Sequence, residues 1–271
     1  MMKYNDGKAH LDYLEINLWD GCNLCCAGCT HLASLFPNTN DAGYKELSLE
    51  SDLIELASLV SIRKIRLLGG EPFLHPNLIE CLQIVRKSFP DSQLHIVSNG
   101  LLIPKLDDAV LSSLSELNYQ VDISLYEPTL KQIRLIEDRL NSFGLARKIS
   151  GYVYNFYKTL NLDGSSDAQK AFNSCHMSFC HMLRSGKLYK CPIEGFAQIF
   201  ADYFEIVNVP LLESKRGIDV HALNSEMINE ILESYNHPID LCTHCSEKGG
   251  STFKWYMNRQ PQYRDWICDG E

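Results

Sequence analysis

No run of eighteen uninterrupted apolar residues occurs in this 271-residue chain, so nothing in it reads as a membrane-spanning helix. The start, Met1-Met2-Lys3-Tyr4-Asn5-Asp6, is polar and leads into no apolar stretch, so neither a signal peptide nor an anchor is expected. Positive charge is in deficit: a formal net charge of −9 argues against a general nucleic-acid or anionic-membrane surface and favours a small or neutral partner. Internal repeats and low-complexity tracts are missing too. With 45% hydrophobic residues the chain is not disordered and can bury a core in one or two domains. Cysteine, by contrast, is plentiful: eleven residues, four of them inside Gly21–His31, GCNLCCAGCTH. A cytoplasmic location is expected, where thiols stay reduced and such a cluster reads as metal-binding or catalytic rather than as disulfides.

Along the chain, strand patterns alternate with helix patterns. Tyr13 to Trp19 alternates apolar and polar residues and runs straight into the cysteine loop. Ser48 can cap a helix carrying Leu53, Leu56, Ala57 and Val60 on one face, and a strand from Lys64 to Leu68 ends at Gly69-Gly70. Pro76 opens the next helix, whose stripe is Leu78, Leu82, Val85 and Phe89 and whose stop is Pro90. Strand Gln93 to Val97, helix Asp107 to Leu117, strand Tyr119 to Leu125, helix Leu130 to Phe143 and strand Lys148 to Tyr154 continue the rhythm. Such alternation implies right-handed crossovers and a parallel sheet, whose ligands collect at the carboxyl ends of the strands. Those ends carry the cysteine loop, Gly69-Gly70-Glu71-Pro72, Ser98-Asn99-Gly100 and Ser124-Leu125-Tyr126. The breaker-rich stretch Asn161 to Asp167 marks a domain boundary, with domains expected at 1–163 and 164–271. Six of the eleven cysteines lie beyond it.

Cys22, Cys26 and Cys29 form C-x3-C-x2-C, with Cys25 left over. Three thiolates on one loop can hold three irons of a 4Fe-4S cluster and leave the fourth open to a ligand. This spacing, followed by GGEP at 69–72, resembles the radical S-adenosylmethionine (SAM) superfamily. The resemblance implies a partial (β/α)6 TIM barrel in the α/β class, with Cys22, Cys26 and Cys29 ligating a catalytic 4Fe-4S cluster. It further implies that the open iron takes the amino and carboxylate groups of SAM. Gly69, Gly70 and Glu71 would hold the methionine ammonium, and Ser98, Asn99 and Ser124 would contact ribose and carboxylate. Reductive cleavage then gives a 5′-deoxyadenosyl radical that abstracts hydrogen from unactivated carbon. One position departs from the family's pattern: Gly28 stands where an aromatic residue usually precedes the last cysteine. A zinc knuckle of Cys22, Cys25, Cys29 and His31 is the competing reading, though it leaves GGEP unexplained.

Cys175, then ten residues, Gly186, four residues and Cys191, followed by Cys242-Thr-His-Cys245, resembles the twitch domain, a shortened SPASM domain. The likeness implies an auxiliary 4Fe-4S cluster on Cys175, Cys191, Cys242 and Cys245; structural zinc on the same four thiolates is the alternative. Cys180 has three open readings: a hydrogen-atom donor to a substrate radical, a ligand in place of Cys175, or inert packing. Cys81 is expected to be buried packing, and Cys268 has no assignable role. Small twitch enzymes resemble aminocyclitol dehydrogenases and aminoglycoside epimerases, which implies a small sugar-like substrate attacked at a carbinol C–H. The outcome is epimerisation through Cys180 or dehydrogenation through the auxiliary cluster. Modification of a peptide or another metabolite is the runner-up, without the extra N-terminal recognition domain of many peptide-modifying relatives, for which no chain is expected before Cys22. A non-catalytic iron–sulfur or zinc module is the remaining alternative. Arg147, His181, Arg184 and Glu194 are the polar candidates near the site. The expected partners are the small substrate and a low-potential reductant such as flavodoxin or ferredoxin, with no nucleic acid and no membrane.

Overall fold

The computed structural model of the chain describes residues 7–36, 43–209 and 216–268; the polar start Met1–Asp6 lies outside them. Five strands, β1 (Ala9–Trp19), β2 (Val60–Gly69), β3 (Gln93–Ser98), β4 (Tyr119–Leu125) and β5 (Arg147–Tyr152), pair in parallel in chain order. The crossovers contain α1 (Glu46–Leu59), α2 (Leu78–Ser88), α3 (Asp108–Glu116), and α4 (Glu127–Lys131) with α5 (Ile133–Ser142). In β1 the period of two sorts the side chains: Leu14, Ile16 and Leu18 are fully buried in the main apolar core, while Tyr13, Glu15 and Asn17 alternate with them. Each such aliphatic side chain, fully buried, contributes about 1.5–3 kcal/mol.

Two boundaries differ from the sequence reading. α1 begins at Glu46 after Lys45, not at a Ser48 cap, and Val60, expected on the helix, opens β2 by pairing with Ala9. Val60 and Ile62 are β-branched and suit the extended conformation. The helix expected over 130–143 is broken at Gln132 (φ −114°, ψ 7°). There Thr129 donates its hydroxyl to the Asn99 carbonyl at 2.6 Å, tying α4 to the end of β3.

The sixth strand also departs from the expected barrel order. Only two residues separate β5 from β6 (Asn155–Lys158), and a parallel neighbour needs a crossover of a dozen or more. Strand β6 therefore leaves the sheet and pairs antiparallel with β10 (Ser251–Lys254). The sixth parallel strand is β7 (Met182–Arg184), on the opposite edge beside β1. Antiparallel β8 (Lys187–Tyr189) and β9 (Ile218–Asp219) extend it, giving the order β5-β4-β3-β2-β1-β7-β8-β9. The architecture is mixed α/β on a parallel sheet, with five strands rather than six in barrel sequence. Beyond residue 163 come α6 (Ala168–Ser174), α7 (Pro192–Tyr203) and α8 (Ser225–Ser234). Phe196, Phe200 and Trp266 pack there in a second apolar group with Leu32 and Leu35, just past the cysteine loop. No helix among the described residues is long and apolar enough to cross a membrane.

Candidate active site

The four strand-end loops converge on one cavity of about 440 Å³, a volume suited to a cofactor-sized ligand. Cys22, Cys26, Cys29, Gly69, Gly70, Ser98, Asn99 and Ser124 all line it. Cys25 does not; the same loop is clamped by backbone bonds from Asn258 N to the Cys25 carbonyl (2.7 Å) and from Ala27 N to the Tyr256 carbonyl (3.1 Å). Two of the three lining sulfurs receive N–H groups: Leu24 N at 3.3 Å on Cys22 and Trp255 Nε1 at 3.2 Å on Cys26. A thiol is a weak acceptor, so this donor set suits metal-bound thiolates. Without a cation beside them, burial pushes the Cys22 thiol up to about 12 and raises Cys26 and Cys29 as well.

The Gly-Gly turn is pressed against the cysteine loop. A Cβ on Gly70 would lie 2.0 Å from the Gly21 carbonyl oxygen, and Gly69 has φ +134°. The N–H of Gly70 is bound to the Trp19 carbonyl (2.6 Å) and that of Glu71 to the Gly21 carbonyl (2.8 Å). What this turn can offer a ligand is carbonyl oxygen, which suits an ammonium. Glu71 itself does not line the cavity, which corrects the direct contact expected of it. It is wholly buried, its carboxylate accepting from Phe73 N (3.2 Å), Ser98 Oγ (2.9 Å) and Asn99 N (2.9 Å). Glu71 thus positions the ends of β2 and β3. Burial raises its carboxyl to about 7 against the pull of those three bonds. Asn99 bridges the same ends to the cysteine loop, donating Nδ2 to Asn23 Oδ1 at 2.6 Å.

Sequence reasoning weighed His31 only as a zinc ligand and missed Glu15 and Arg66, on the polar face of the sheet below these loops. Glu15, His31 and Arg66 line the cavity. Glu15 accepts from the Tyr13 hydroxyl at 2.6 Å and faces His31 Nε2 at 3.8 Å, and Arg66 reaches the Tyr13 oxygen at 3.3 Å and Asp122 at 3.0 Å. Polar residues at alternate positions of β1, β2 and β4 were the available signal. Tyr126 and Phe156 add aromatic wall, and Tyr126 stacks on Trp255 at 5.2 Å.

Cys175, Cys191, Cys242 and Cys245 together line a separate, smaller cavity of about 40 Å³. His176 lines both cavities, so the two adjoin. Among the described residues, the group of three ligating side chains with donor atoms within 4.8 Å of one another is Glu46, His75 and Cys81. Neither cysteine set is drawn together that tightly among the described residues. Nor is the Glu46 group a metal site: His75 Nε2 is bonded to the Tyr44 carbonyl (2.8 Å) and Nδ1 accepts from Asn77 N (3.2 Å). Cys81 is fully buried core, as expected, and Cys268 donates to the Lys158 carbonyl at 2.9 Å.

Cys180 lines neither cavity. Burial raises its thiol, and it packs against the second apolar group, as Cys175 and Cys191 do. The four polar candidates fall outside the main cavity. Arg184 is locked to Asp20 at 2.7 Å, and His181 bonds to the Lys190 carbonyl while stacked on Tyr235. Glu194 accepts from Lys190 N at 2.7 Å, and Arg147 pairs with Glu137 at 3.6 Å. Each has a structural partner that sequence spacing could not reveal.

A comparison with family models covers the loop that presents these three thiols to the cavity. Residues 15–136 match the family described as "4Fe-4S single cluster domain". This span holds the C-x3-C-x2-C loop and GGEP. The GTP 3′,8-cyclase of Petrotoga mobilis is 29% identical over 126 residues, 45% of this chain and 38% of that protein. The GTP 3′,8-cyclase of Microcystis aeruginosa is 31% identical over 138 residues, 48% of this chain and 36% of that protein. The chain thus spans under two fifths of the length of these curated relatives. A solved structure, BtrN in complex with AdoMet and 2-DOIA, superposes with a TM-score of 0.47 at 17% identity over 88% of this chain and 94% of that one.

Proposed function

We propose that the chain is a radical SAM enzyme acting at a carbinol C–H of a small sugar-like or aminocyclitol substrate, giving epimerisation or two-electron dehydrogenation. The observation that carries this reading is the convergence of Cys22, Cys26, Cys29 and the Gly69-Gly70 turn on one cavity. Cys22, Cys26 and Cys29 would hold the catalytic cluster, and Cys175, Cys191, Cys242 and Cys245 an auxiliary one. When bound, the two clusters and SAM supply the hydrogen-abstracting radical and an electron acceptor.

The chain's own residues do the rest. Gly69 and Gly70 present carbonyls to the methionine ammonium, with Glu71 fixing the turn from below. Ser98, Asn99 and Ser124 border the nucleoside side, and Tyr126 and Phe156 shield it from water. The buried Glu15–His31 pair offers a proton acceptor at the lumen wall. Cys180 would return a hydrogen atom to the substrate carbon in the epimerising outcome; its thiyl radical is then reduced by an external low-potential protein such as flavodoxin or ferredoxin.

The deciding experiment is anaerobic reconstitution followed by reduction in the presence of SAM. Release of 5′-deoxyadenosine is expected from the native chain, and none from a chain with Cys22, Cys26 and Cys29 all changed to Ala. A native protein that takes up only zinc, or binds iron without cleaving SAM, would leave a non-catalytic module as the better reading.

A further inference from the structure

The polar lumen continues past the main cavity. Arg66 and Ser124 line that cavity and also a second chamber of about 200 Å³, whose other polar walls are Lys64, Asp122, Lys148 and Ser150. Lys64 and Arg66 lie on one face of β2, five and three residues before Gly69, or about 16 and 10 Å along the strand. The Asp122–Lys148 register of β4 and β5 sets the opposite wall.

Charge in this chamber is unbalanced. Asp122 is already saturated, with Arg66 at 3.0 Å, His95 at 3.1 Å and Gln120 at 2.7 Å. Burial alone would raise its carboxyl, but those donors hold it at about 2, so it stays ionised with its charge compensated. Lys64 and Lys148 line the same space, and neither side chain has an ion pair or hydrogen bond among the described residues. Burial first, then Arg66, Lys148 and Arg63, depress the Lys64 ammonium, while Asp122 alone opposes them. In a chain of net charge −9, two unpartnered lysines beside an arginine form a local cationic trap.

We propose that this chamber seats an oxyanion substituent of the substrate, a carboxylate or a phosphate, between Lys64 and Lys148 with Arg66 behind. The inference rests on reading the adjoining cavity as the reaction site, and it narrows the substrate class. The reacting carbon lies toward the cysteine loop and the anion lies down the lumen. A polyamine-like aminocyclitol would meet like charge there and is disfavoured.

The test is calorimetric titration of the reconstituted full chain with inorganic phosphate, with acetate and, as a cationic probe, with glucosamine. Saturable binding of at least one anion is expected. Tighter phosphate marks a phosphorylated substrate, and tighter acetate a carboxylated one. The double variant Lys64→Gln/Lys148→Gln should weaken the preferred anion at least about tenfold. Lys105→Gln, an exposed lysine closing the turn Ile103–Lys105, should leave it unchanged. Lys148 is exposed on the edge strand, so Lys148→Gln alone keeps the test valid if the double variant fails to fold, with a loss of about threefold expected. Binding of neither anion, an unchanged affinity in Lys148→Gln, or glucosamine displacing phosphate would overturn the inference. SAM cleavage by the native enzyme is read separately. Cleavage without anion binding sinks only this inference, whereas lysine-dependent binding without cleavage sinks the radical reading and leaves an anion site.

Discussion

Gly28 has φ +67°, and a Cβ built on it would lie 2.9 Å from the Asp265 carbonyl oxygen and 2.9 Å from the Phe253 ring. The aromatic residue usual before the last cysteine cannot stand here, because residues from the far end of the chain already fill the space. Sequence reading could register the departure but not its cause, since the occupants are more than two hundred positions away. Gly28→Tyr is therefore expected to unseat the 253–265 segment. A melting temperature lowered by several degrees, with a changed Trp fluorescence from Trp255 and Trp266, would show it; an unchanged melt would contradict it. Glu71 gives a second prediction, and its sign follows from linkage. With a carboxyl raised from 4.5 to about 7 in the fold, only the folded chain holds the proton between those pH values. Its contribution to stability is therefore full below about pH 4.5, declines as pH rises through the window, and levels off above 7. The limiting slope for one proton is about 1.4 kcal/mol per pH unit. Glu71→Gln should flatten that decline in urea titrations at pH 5, 6 and 7, while lowering stability overall by about 1–3 kcal/mol, because its amide opposes donors from Ser98 and Asn99.

At the scale of elements, β1 through β5 were legible because their apolar residues alternate and their ends carry Gly, Ser and Asn. The site was legible for the same reason: parallel strands bring their C-terminal loops together whatever the loops contain. The place of β7 was not legible. Met182–Arg184 is only three residues long, and Met182 pairs with Glu15, 167 positions earlier; so short a strand has no periodicity to read. The C-terminal clamp was hidden likewise: Trp255 reaches Cys26 and Trp266 Nε1 reaches the Cys29 carbonyl at 2.8 Å, contacts that no spacing encodes. They carry a prediction at this scale. Hydrogen bonds to cluster sulfurs help set reduction potentials, and donors to a thiolate favour the more negative, reduced state. Trp255→Phe keeps the ring against Tyr126 and removes one donor. A lower potential for the cluster on Cys22, Cys26 and Cys29 is expected in electron-paramagnetic-resonance titrations, and an unmoved midpoint would mean that Trp255 only packs.

Across the whole molecule, the two cysteine-lined cavities meet at His176, and Cys180 packs against the same apolar group as Cys175 and Cys191. Seven thiols in two sets, with Cys180 outside both, lead to an expected content of about eight irons after reconstitution. How the reaction ends depends on what the protein places near the substrate radical. A thiol on the face opposite the abstracted hydrogen returns a hydrogen atom and inverts the centre; without one, loss of a proton and an electron gives the ketone. Burial keeps the Cys180 sulfur protonated, and a hydrogen-atom donor must carry its hydrogen. Placement is demanding, since a displacement of about 1 Å can lose on the order of a hundredfold in rate. Cys180→Ala should therefore keep about eight irons and still release 5′-deoxyadenosine, yet stop solvent deuterium from entering the product and divert turnover to ketone. Loss of about four irons in the same variant would instead make Cys180 a ligand of the second set, free Cys175, and leave dehydrogenation as the chemistry of this site.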